Sequence, residues 1–450
     1  MLQTLDTDEV IAIPVAGNPD LLSLHQLDPQ RYPYLLQSTR TGGELGRWDI
    51  LFAFPGEQIV QRPSSDLPFL QRLDAEFHSI AKPASHDSNR FPFRGGWFLF
   101  LSYELAGEIE QLPPVKAGLE VPLALATRIP AAVVIDHENG LSWIVVENDN
   151  SEAEKLLSCI KDDIKKLKSN LTEDLFARKL EEESPKNYLD AVSAAKHYIR
   201  EGDIFQVNLS REWRAVLQGR VSADNLYAKL RRTNPAPFAG LVRIGEEVSI
   251  VSSSPERLIN VGAGKIRTRP IAGTFPRGVD KASDEKLSAE LLAHPKERSE
   301  HIMLIDLERN DLGRICRAGS VNVPELMVLE SYQHVHHIVS EIAGELRPGV
   351  MPAQIIAATF PGGTITGCPK VRCMEIIAEL ETGPRGAYTG SIGYLNRDGS
   401  MDLNILIRSI TLQGNEARFR AGAGIVADSI PQRELDETRA KAEGLIRALR

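Results

Sequence analysis

The sequence predicts an α+β protein: a large two-layered antiparallel β-sheet body, sandwich-like at its core, with helices packed outside and a deep cleft for an active site. Three observations lead there. Short apolar runs punctuated by Pro and Gly fill the first third, a series of strands joined by tight turns fills much of the last third, and segments of helical spacing lie between and after them. At 450 residues, with 42% hydrophobic and 25% charged residues, the chain has a globular balance and enough length to enclose a small molecule.

Taken in order, YPYLLQST, RWDILFAF, GGWFLFLSYEL and AAVVIDHENGLSWIVVEN read as strands, with Asp136 to Gly140 as a turn. Residues 151–183 turn Lys- and Glu-rich with helical spacing, which predicts a surface helix and then a charged connector. Ser184 and Pro185 predict a capped helix start, and that helix runs to about Glu201. GDIFQVNLSREWRAV follows as a strand. A helix near Ala223 to Arg232, strands through FAGLVRI, VSIVSSSPERLINV and KIRTRPIAGTF, and a long helix from about Ser283 to Asp306 come next. Four strands with turns at RDG and QGN and a helix from about Pro431 complete the chain. The expected organisation is an N-terminal region over 1–150, a helical charged connector over 151–183, and a catalytic region over 184–450.

A net charge of −9 argues against nucleic acid as a partner, yet leaves room for a locally basic pocket that takes an anion. Cys159, Cys316, Cys368 and Cys373 form no CxxC pair and read as reduced thiols. The opening MLQTLDTDEVIAIPV has neither a basic start nor an apolar run, and no stretch reaches the ~20 apolar residues of a membrane span. A cytoplasmic protein that meets no membrane is expected.

Several residues carry chemistry. Glu434 and Glu437, three apart in PQRELDETRAKAEGL, share a helix face with Lys441, and Glu300 stands just before the apolar stretch HIMLIDL. By spacing alone these glutamates are either solvated surface charges or carboxylates from two helices around Mg²⁺, a hard cation suited to oxygen donors, water and substrate. FPGGTITGCPKVRCMEII offers a glycine-rich turn before a helix, which either packs tightly or presents amides to an anion, and it lacks P-loop spacing. RAGAGIVADS is similar. Glu256 in SSSPERL is a general acid or a turn residue, and His337 in YQHVHHIVS a ligand or a core side chain. Arg408 in ILIRSITL is a cation in an apolar strand, which needs a buried partner or a ligand carboxylate.

Together and in this order, IFQVNLS, SSSPERL, TRPIAGT, SEHIMLIDLERNDLGR, HHIVSEIAGEL, FPGGTITGCPKVRCMEII, GSIGY, LNILIRS, RAGAGIVADS and ELDETRAKA resemble the catalytic half of the chorismate-utilising enzymes over nearly all of 184–450. YLLQSTRTGGELGRWDILFAF resembles the N-terminal region of that family's synthase components. The resemblance implies that Glu300, Glu434 and Glu437 hold Mg²⁺ against the ring carboxylate of chorismate and that Glu256 is the acid for the departing C4 hydroxyl. It implies that Arg408, Tyr388, Lys441 and the backbone at Gly422, Ala423 and Gly424 hold the enolpyruvyl carboxylate, with Thr364 and His337 lining the ring pocket beside Thr274.

Two positions sort the members. Gln206 stands where the isochorismate and salicylate synthases have a water-activating lysine, which favours amination over hydration. Ala272 stands where aminodeoxychorismate synthases have a nucleophilic lysine and anthranilate synthases an alanine, whereas FPGGTITGCPKVRCMEII, VHHIVS and RWDILFAF look more like the aminodeoxychorismate branch. The expected activity is amination of chorismate at C4 on the path to para-aminobenzoate and folate, with amination at C2 to anthranilate as the alternative. The resemblance implies ammonia from a separate glutamine amidotransferase subunit, and no glutaminase triad is visible in this chain. Leu36, Gln37 and Ser38 resemble a tryptophan-binding segment, with Gln37 in place of the acid that would pair with an amino group. A non-catalytic protein binding an aromatic ligand is the alternative of another class, and it predicts a decayed acidic cluster.

Overall fold

A computed structural model describes residues 4–7, 9–39, 46–83, 90–167, 177–218, 222–331 and 335–450, apart from the side chains of Thr274, Pro276, Lys296 and Val335. Among the described residues the strands form two antiparallel sheets of thirteen and ten strands. The first runs in the order 5–6, 10–15, 141–147, 131–136, 48–53, 34–37, 238–244, 248–254, 409–413, 416–425, 206–217, 177–182, and the short strand Gly367–Cys368 also pairs with Gln206–Leu217. The second runs 271–276, 335–345, 265–268, 257–262, 401–404, 391–396, 96–101, 124–129, 58–61, with Asn322–Ser331 added against Val335–Glu345. Both sheets take strands from residues 1–150 and from 184–450. Tyr34–Gln37 pairs with Phe238–Ile244, and Gly96–Leu101 pairs with Ser391–Asn396.

The apolar pattern follows from that layering. Every residue of Gly96–Leu101 is buried, because Phe98 and Phe100 face the interior between the sheets while Trp97, Leu99 and Leu101 face a helical layer outside. A strand covered on both faces reads as a continuous apolar run rather than an alternating one. Between the sheets, the ring of Tyr34 from the first lies on Phe98 from the second, with centroids 3.9 Å apart, a contact worth about 1 kcal/mol beyond its buried area. Helices Leu21–Leu27, Ala153–Lys165, Ala223–Thr233 and Pro431–Leu449 cover the outside of the first sheet. Phe69–Ile80, Pro295–Gly313 and Pro352–Thr359 cover the second, and Pro185–Glu201 and Lys370–Leu380 close on Gln206–Leu217 and Glu416–Ile425. No helix among the described residues is long and apolar enough to cross a membrane, and all four cysteines are free.

Four local expectations change. The connector over 151–183 contains, after its helix, the strand Ala177–Glu182, which pairs with Gln206–Leu217; the stretch 168–176 lies outside the described residues. The helix expected from Ser283 to Asp306 is two helices, Lys281–Ala293 and Pro295–Gly313, because Pro295 supplies no N–H to continue the first and starts the second. Ser184 makes no side-chain cap, so helix Pro185–Glu201 starts on proline and ends on Gly202 at φ +83°. Arg408 is not within a strand: it lies between Met401–Asn404 and Ser409–Gln413 with φ +52°.

Candidate functional site

Glu256 follows Pro255 at the end of strand Val248–Ser254, at the rim where the two sheets meet. Its backbone is pinned on both sides: its N–H reaches Ser254 Oγ at 3.3 Å, and its carbonyl accepts from Ile405 N at 3.0 Å. The side chain is 5% exposed, and Thr364 Oγ1 donates to Glu256 Oε1 at 2.8 Å. Burial pushes the carboxyl up to about 7; the Thr364 hydroxyl, the charges of Lys441 and Arg408 and the Ile271 amide all pull the other way. An acid poised near neutrality, within reach of two cations, is suited to protonating a leaving group beside a bound anion.

The cations come from separate elements. Lys441, on helix Pro431–Leu449, donates to the Gly422 carbonyl at 3.1 Å and pairs with Glu437 Oε1 at 2.7 Å. Arg408 pairs with no carboxylate among the described residues, and burial pulls its guanidinium below the ordinary value while the Glu256 charge opposes that. Its backbone sits in the left-handed region, where a side chain costs roughly 1–3 kcal/mol, and its carbonyl accepts from Ser253 N at 3.1 Å. A half-buried cation without a carboxylate partner among the described residues, held on strained backbone, is available to a ligand carboxylate.

Glycines in strand Glu416–Ile425 make space for site side chains. A Cβ at Gly422 would come within 2.9 Å of the Tyr388 hydroxyl, and one at Gly424 within 2.5 Å of Gln206 Nε2. Tyr388 and Gln206 therefore lie directly over the Gly422–Ala423–Gly424 backbone, in register with Asn208 and Ser210 across the ladder. Burial raises the Tyr388 hydroxyl to about 12, so it stays a neutral donor. Gln206 Oε1 and Asn208 Oδ1 are buried without a hydrogen-bond partner among the described residues.

Strand Ile271–Pro276 brings Ala272 alongside, since the amide of neighbouring Ile271 acts on Glu256. Gly273, at φ +67°, forms a bulge between the pairs Ala272–Ile338 and Thr274–His337. The Gly273 carbonyl lies 3.4 Å from His337 Nδ1. The side chain of Thr274 is outside the described residues.

Glu434 is buried and Glu437 half-exposed one turn later. Burial, and then the charges of Glu434, Tyr388 and Glu437, push the Tyr188 hydroxyl well above its ordinary value, so both glutamates lie near Tyr188. Glu300 is on helix Pro295–Gly313, which packs on the strands carrying Ala272 and His337. Among the described residues no three His, Cys, Asp or Glu side chains form a ready-made metal cage. All three are carboxylates, the donor type that suits a hard divalent ion.

Two features escaped sequence reading. Glu308 and Asp311 are buried carboxylates on the inner stripe of helix Pro295–Gly313, in step with the buried Leu304 and Ile315, and Asp311 pairs with Lys370. That spacing is the signal that could have found them. Arg385 donates to Glu381 Oε1 at 2.7 Å, to the Asn208 carbonyl at 2.7 Å and to the Ile365 carbonyl at 2.9 Å, tying strand Gln206–Leu217 to the glycine-rich turn. Burial works against the charged Glu381 carboxyl, but Arg385 and Arg420 hold it below its ordinary value.

Leu36 and Gln37 do not join this site. They line a separate small cavity of about 80 Å³ with Trp48, Phe238, Arg257 and Asp402. There Gln37 Nε2 donates to Asp49 Oδ2 at 2.9 Å and Ser38 N to Asp49 Oδ1 at 2.8 Å, while Arg257 grips Asp402 through two hydrogen bonds of 3.0 and 2.9 Å.

The chorismate binding enzyme family matches residues 32–447. An anthranilate synthase component I-like protein of Synechocystis is 40% identical over 415 residues, covering 90% of this chain and 83% of that protein. The aminodeoxychorismate synthase component 1 of Bacillus subtilis is 41% identical over 387 residues, covering 83% and 81%. The crystal structure of anthranilate synthase component I from Streptococcus pneumoniae superposes with a TM-score of 0.80 at 33% identity, covering 90% of this chain and 93% of that one. The menaquinone-specific isochorismate synthase of Escherichia coli, 21% identical with a TM-score of 0.75, shares the fold. This chain belongs to the chorismate-binding enzyme family, and within it to the synthases of the anthranilate and aminodeoxychorismate type.

Proposed function

We propose that the chain is the chorismate-aminating component of an aminodeoxychorismate synthase, forming 4-amino-4-deoxychorismate from chorismate and ammonia. The observation that carries an amination chemistry is the Glu256 carboxyl, buried, held by Thr364 and raised toward neutrality beside Lys441 and Arg408. Glu256 gives its proton to the C4 hydroxyl as the C4–O bond breaks, so water leaves. The ammonia nitrogen bonds to C4 and then loses a proton, which returns the carboxyl to its acid form. With alanine at 272 there is no lysine to form a covalent adduct, so the nitrogen attacks the ring directly.

Arg408, the Tyr388 hydroxyl and the Gly422–Gly424 backbone orient the enolpyruvyl carboxylate, and His337 and Thr364 border the ring. Glu300, Glu434 and Glu437 would hold Mg²⁺, which supplies charge neutralisation for the ring carboxylate when bound. Gln206, an amide, cannot act as the base that hydration would require. Ammonia comes from a separate amidotransferase subunit, in keeping with the "component" names of the relatives, and the reaction belongs in the cytoplasm.

Amination at C4 is favoured over C2 by Gln37, whose amide is spent on Asp49 and which offers no acid to an amino group in the second cavity. Anthranilate synthesis is the second reading, favoured by Ala272. Incubation with chorismate, Mg²⁺ and ammonium, with and without an aminodeoxychorismate lyase, separates the two. Para-aminobenzoate formed only with lyase supports C4 amination; fluorescent anthranilate formed without it overturns that choice in favour of C2. A chain inert under both conditions would instead be a ligand-binding protein.

A further inference from the structure

The glycine-rich turn that carries Thr364 rests on a carboxyl that the reaction itself does not use. Glu308, on helix Pro295–Gly313, is 4% exposed, and its Oε1 accepts the Gly363 N–H at 3.3 Å. The turn lies hard against this helix. A Cβ at Gly363 would come 2.5 Å from Leu307 Cδ2 and 3.2 Å from Glu308 Oε1, so no side chain fits and the backbone itself makes the contact. Thr366 Oγ1 closes the turn on the Gly362 carbonyl at 2.9 Å. One peptide unit beyond the Glu308 contact, Thr364 Oγ1 reaches the Glu256 carboxyl.

We propose that Glu308 is a positioning residue for the acid: it fixes the Gly362–Thr364 turn through the Gly363 amide, and the turn in turn holds Thr364 on Glu256. This rests on Glu256 being the acid of the proposed reaction.

The charges around Glu308 explain why a carboxyl can serve there. It faces Asp311 one turn on, Lys370 and Glu256; Lys370 is already paired with Asp311, and the cations facing Glu256 are Lys441 and Arg408. An ionised Glu308 would be an uncompensated charge beside two other carboxyls. Burial, then the Asp311 charge, pushes it well above the ordinary carboxylate range, so it remains protonated and neutral while accepting from Gly363. What the turn requires of residue 308 is therefore a buried acceptor oxygen rather than a charge, and an amide would supply it equally.

That requirement sets the test. Thr364 is one of the groups holding the Glu256 carboxyl down, so losing it lets the carboxyl rise and extends activity to higher pH. Turnover is measured against pH at fixed free-ammonia concentration, with folding checked by thermal melting. Glu308→Met, which keeps volume but removes the acceptor, should lower kcat about tenfold with KM for chorismate little changed, and move the alkaline limb up by about half a pH unit or more. Thr364→Val should give the same upward move, and the double variant should be no worse than either single one. Glu308→Gln should restore the limb and most of kcat.

An unmoved limb in Glu308→Met, additive effects in the double variant, or a Gln variant as impaired as Met would overturn the inference. Glu308→Ala, which leaves space in place of a thioether, is read in parallel and judged by the same limb should Met disturb packing. Glu256→Gln separates this inference from the reading beneath it. Turnover surviving in Glu256→Gln refutes the acid assignment itself, whereas a dead Glu256→Gln with a normal limb in the Glu308 variants refutes only the positioning role.

Discussion

The Thr364 hydroxyl and the Glu256 carboxyl, 2.8 Å apart, join the glycine-rich turn to the seam between the two sheets, and they do so where burial has raised the carboxyl to about 7. A hydrogen bond that stabilises the ionised form and a setting that penalises it are placed against each other, and the balance leaves an acid able to exchange its proton at neutral pH.

That balance has a signed consequence for stability. The folded-state value of Glu256 lies above its ordinary 4.5, so the folded protein binds the extra proton and stability falls as pH rises from about 4.5 to 7, levelling above that. Glu256→Gln should therefore be more stable than the parent at pH 8, on the order of 2–3 kcal/mol, and equal to it near pH 4. Its turnover should fall by a factor on the order of 10²–10⁴. Denaturant melts at the two pH values, alongside activity, check both; a variant destabilised at pH 8 would contradict the buried-acid account.

Arg408 shows the same opposition in the backbone. With φ +52° and no carboxylate partner among the described residues, it costs the free protein stability, a cost that a bound carboxylate would offset. Arg408→Gly should melt at or above the parent temperature while losing about 10–100-fold in affinity for chorismate. Equilibrium binding together with calorimetry decides it, and a large loss of stability would mean that Arg408 has a structural partner instead.

How legible these features were depends on what fixes them. Glu256, Thr364, Lys441 and the glycines at 422 and 424 could be named because their segments resemble motifs of the chorismate-utilising family, not from composition alone. The bend at Arg408 could not, since ILIRSITL has the alternation of a strand, and hydrogen bonds with residues distant in sequence, among them Ser253 to the Arg408 carbonyl and Leu406 N to the Gly390 carbonyl, shape the turn. Ala177–Glu182 was hidden for a related reason: an edge strand with polar residues on both faces becomes a strand only through its partner Gln206–Leu217. Glu308 looked like one more acid in a charged helix, although the phase of Leu304 and Ile315 places it on the buried side. The break at Pro295 is set by the sequence itself, since proline has no N–H to continue one helix and favours the start of the next.

The acidic trio makes a prediction about metal. Glu434 is buried while Glu437 pairs with Lys441, and no complete cage of three ligands is assembled among the described residues. Affinity for Mg²⁺ in the absence of chorismate should then be weak and should rise when chorismate is present, because substrate oxygen would complete the shell. Excess chelator should abolish turnover, and Glu434→Gln and Glu300→Gln should each raise the Mg²⁺ concentration needed for half-maximal rate by about tenfold or more. Titration calorimetry with and without substrate reads the coupling. Full activity in chelator would remove the metal from the mechanism.

The second cavity gives the last prediction, and it turns on complementarity between Gln37 and Asp49. Asp49 Oδ2 accepts from the Gln37 amide at 2.9 Å, its Oδ1 from Ser38 N at 2.8 Å, and His137 Nε2 lies 3.1 Å from Oδ1. Restoring an acid with Gln37→Glu would set two buried carboxylates in hydrogen-bond contact, with only His137 beside Asp49 and Arg231 Nη1, 3.5 Å from the present Gln37 Oε1 and already paired with Asp20, to offset them among the described residues. The variant should lose roughly 1–3 kcal/mol at pH 8, recover much of it near pH 5 as a shared proton bridges the pair, and gain no tight binding of tryptophan. If Gln37→Glu instead folded with undiminished stability and made the enzyme sensitive to tryptophan, the cavity would be a regulatory amino-acid site needing one substitution to act, and the argument from Gln37 for amination at C4 would lose its footing.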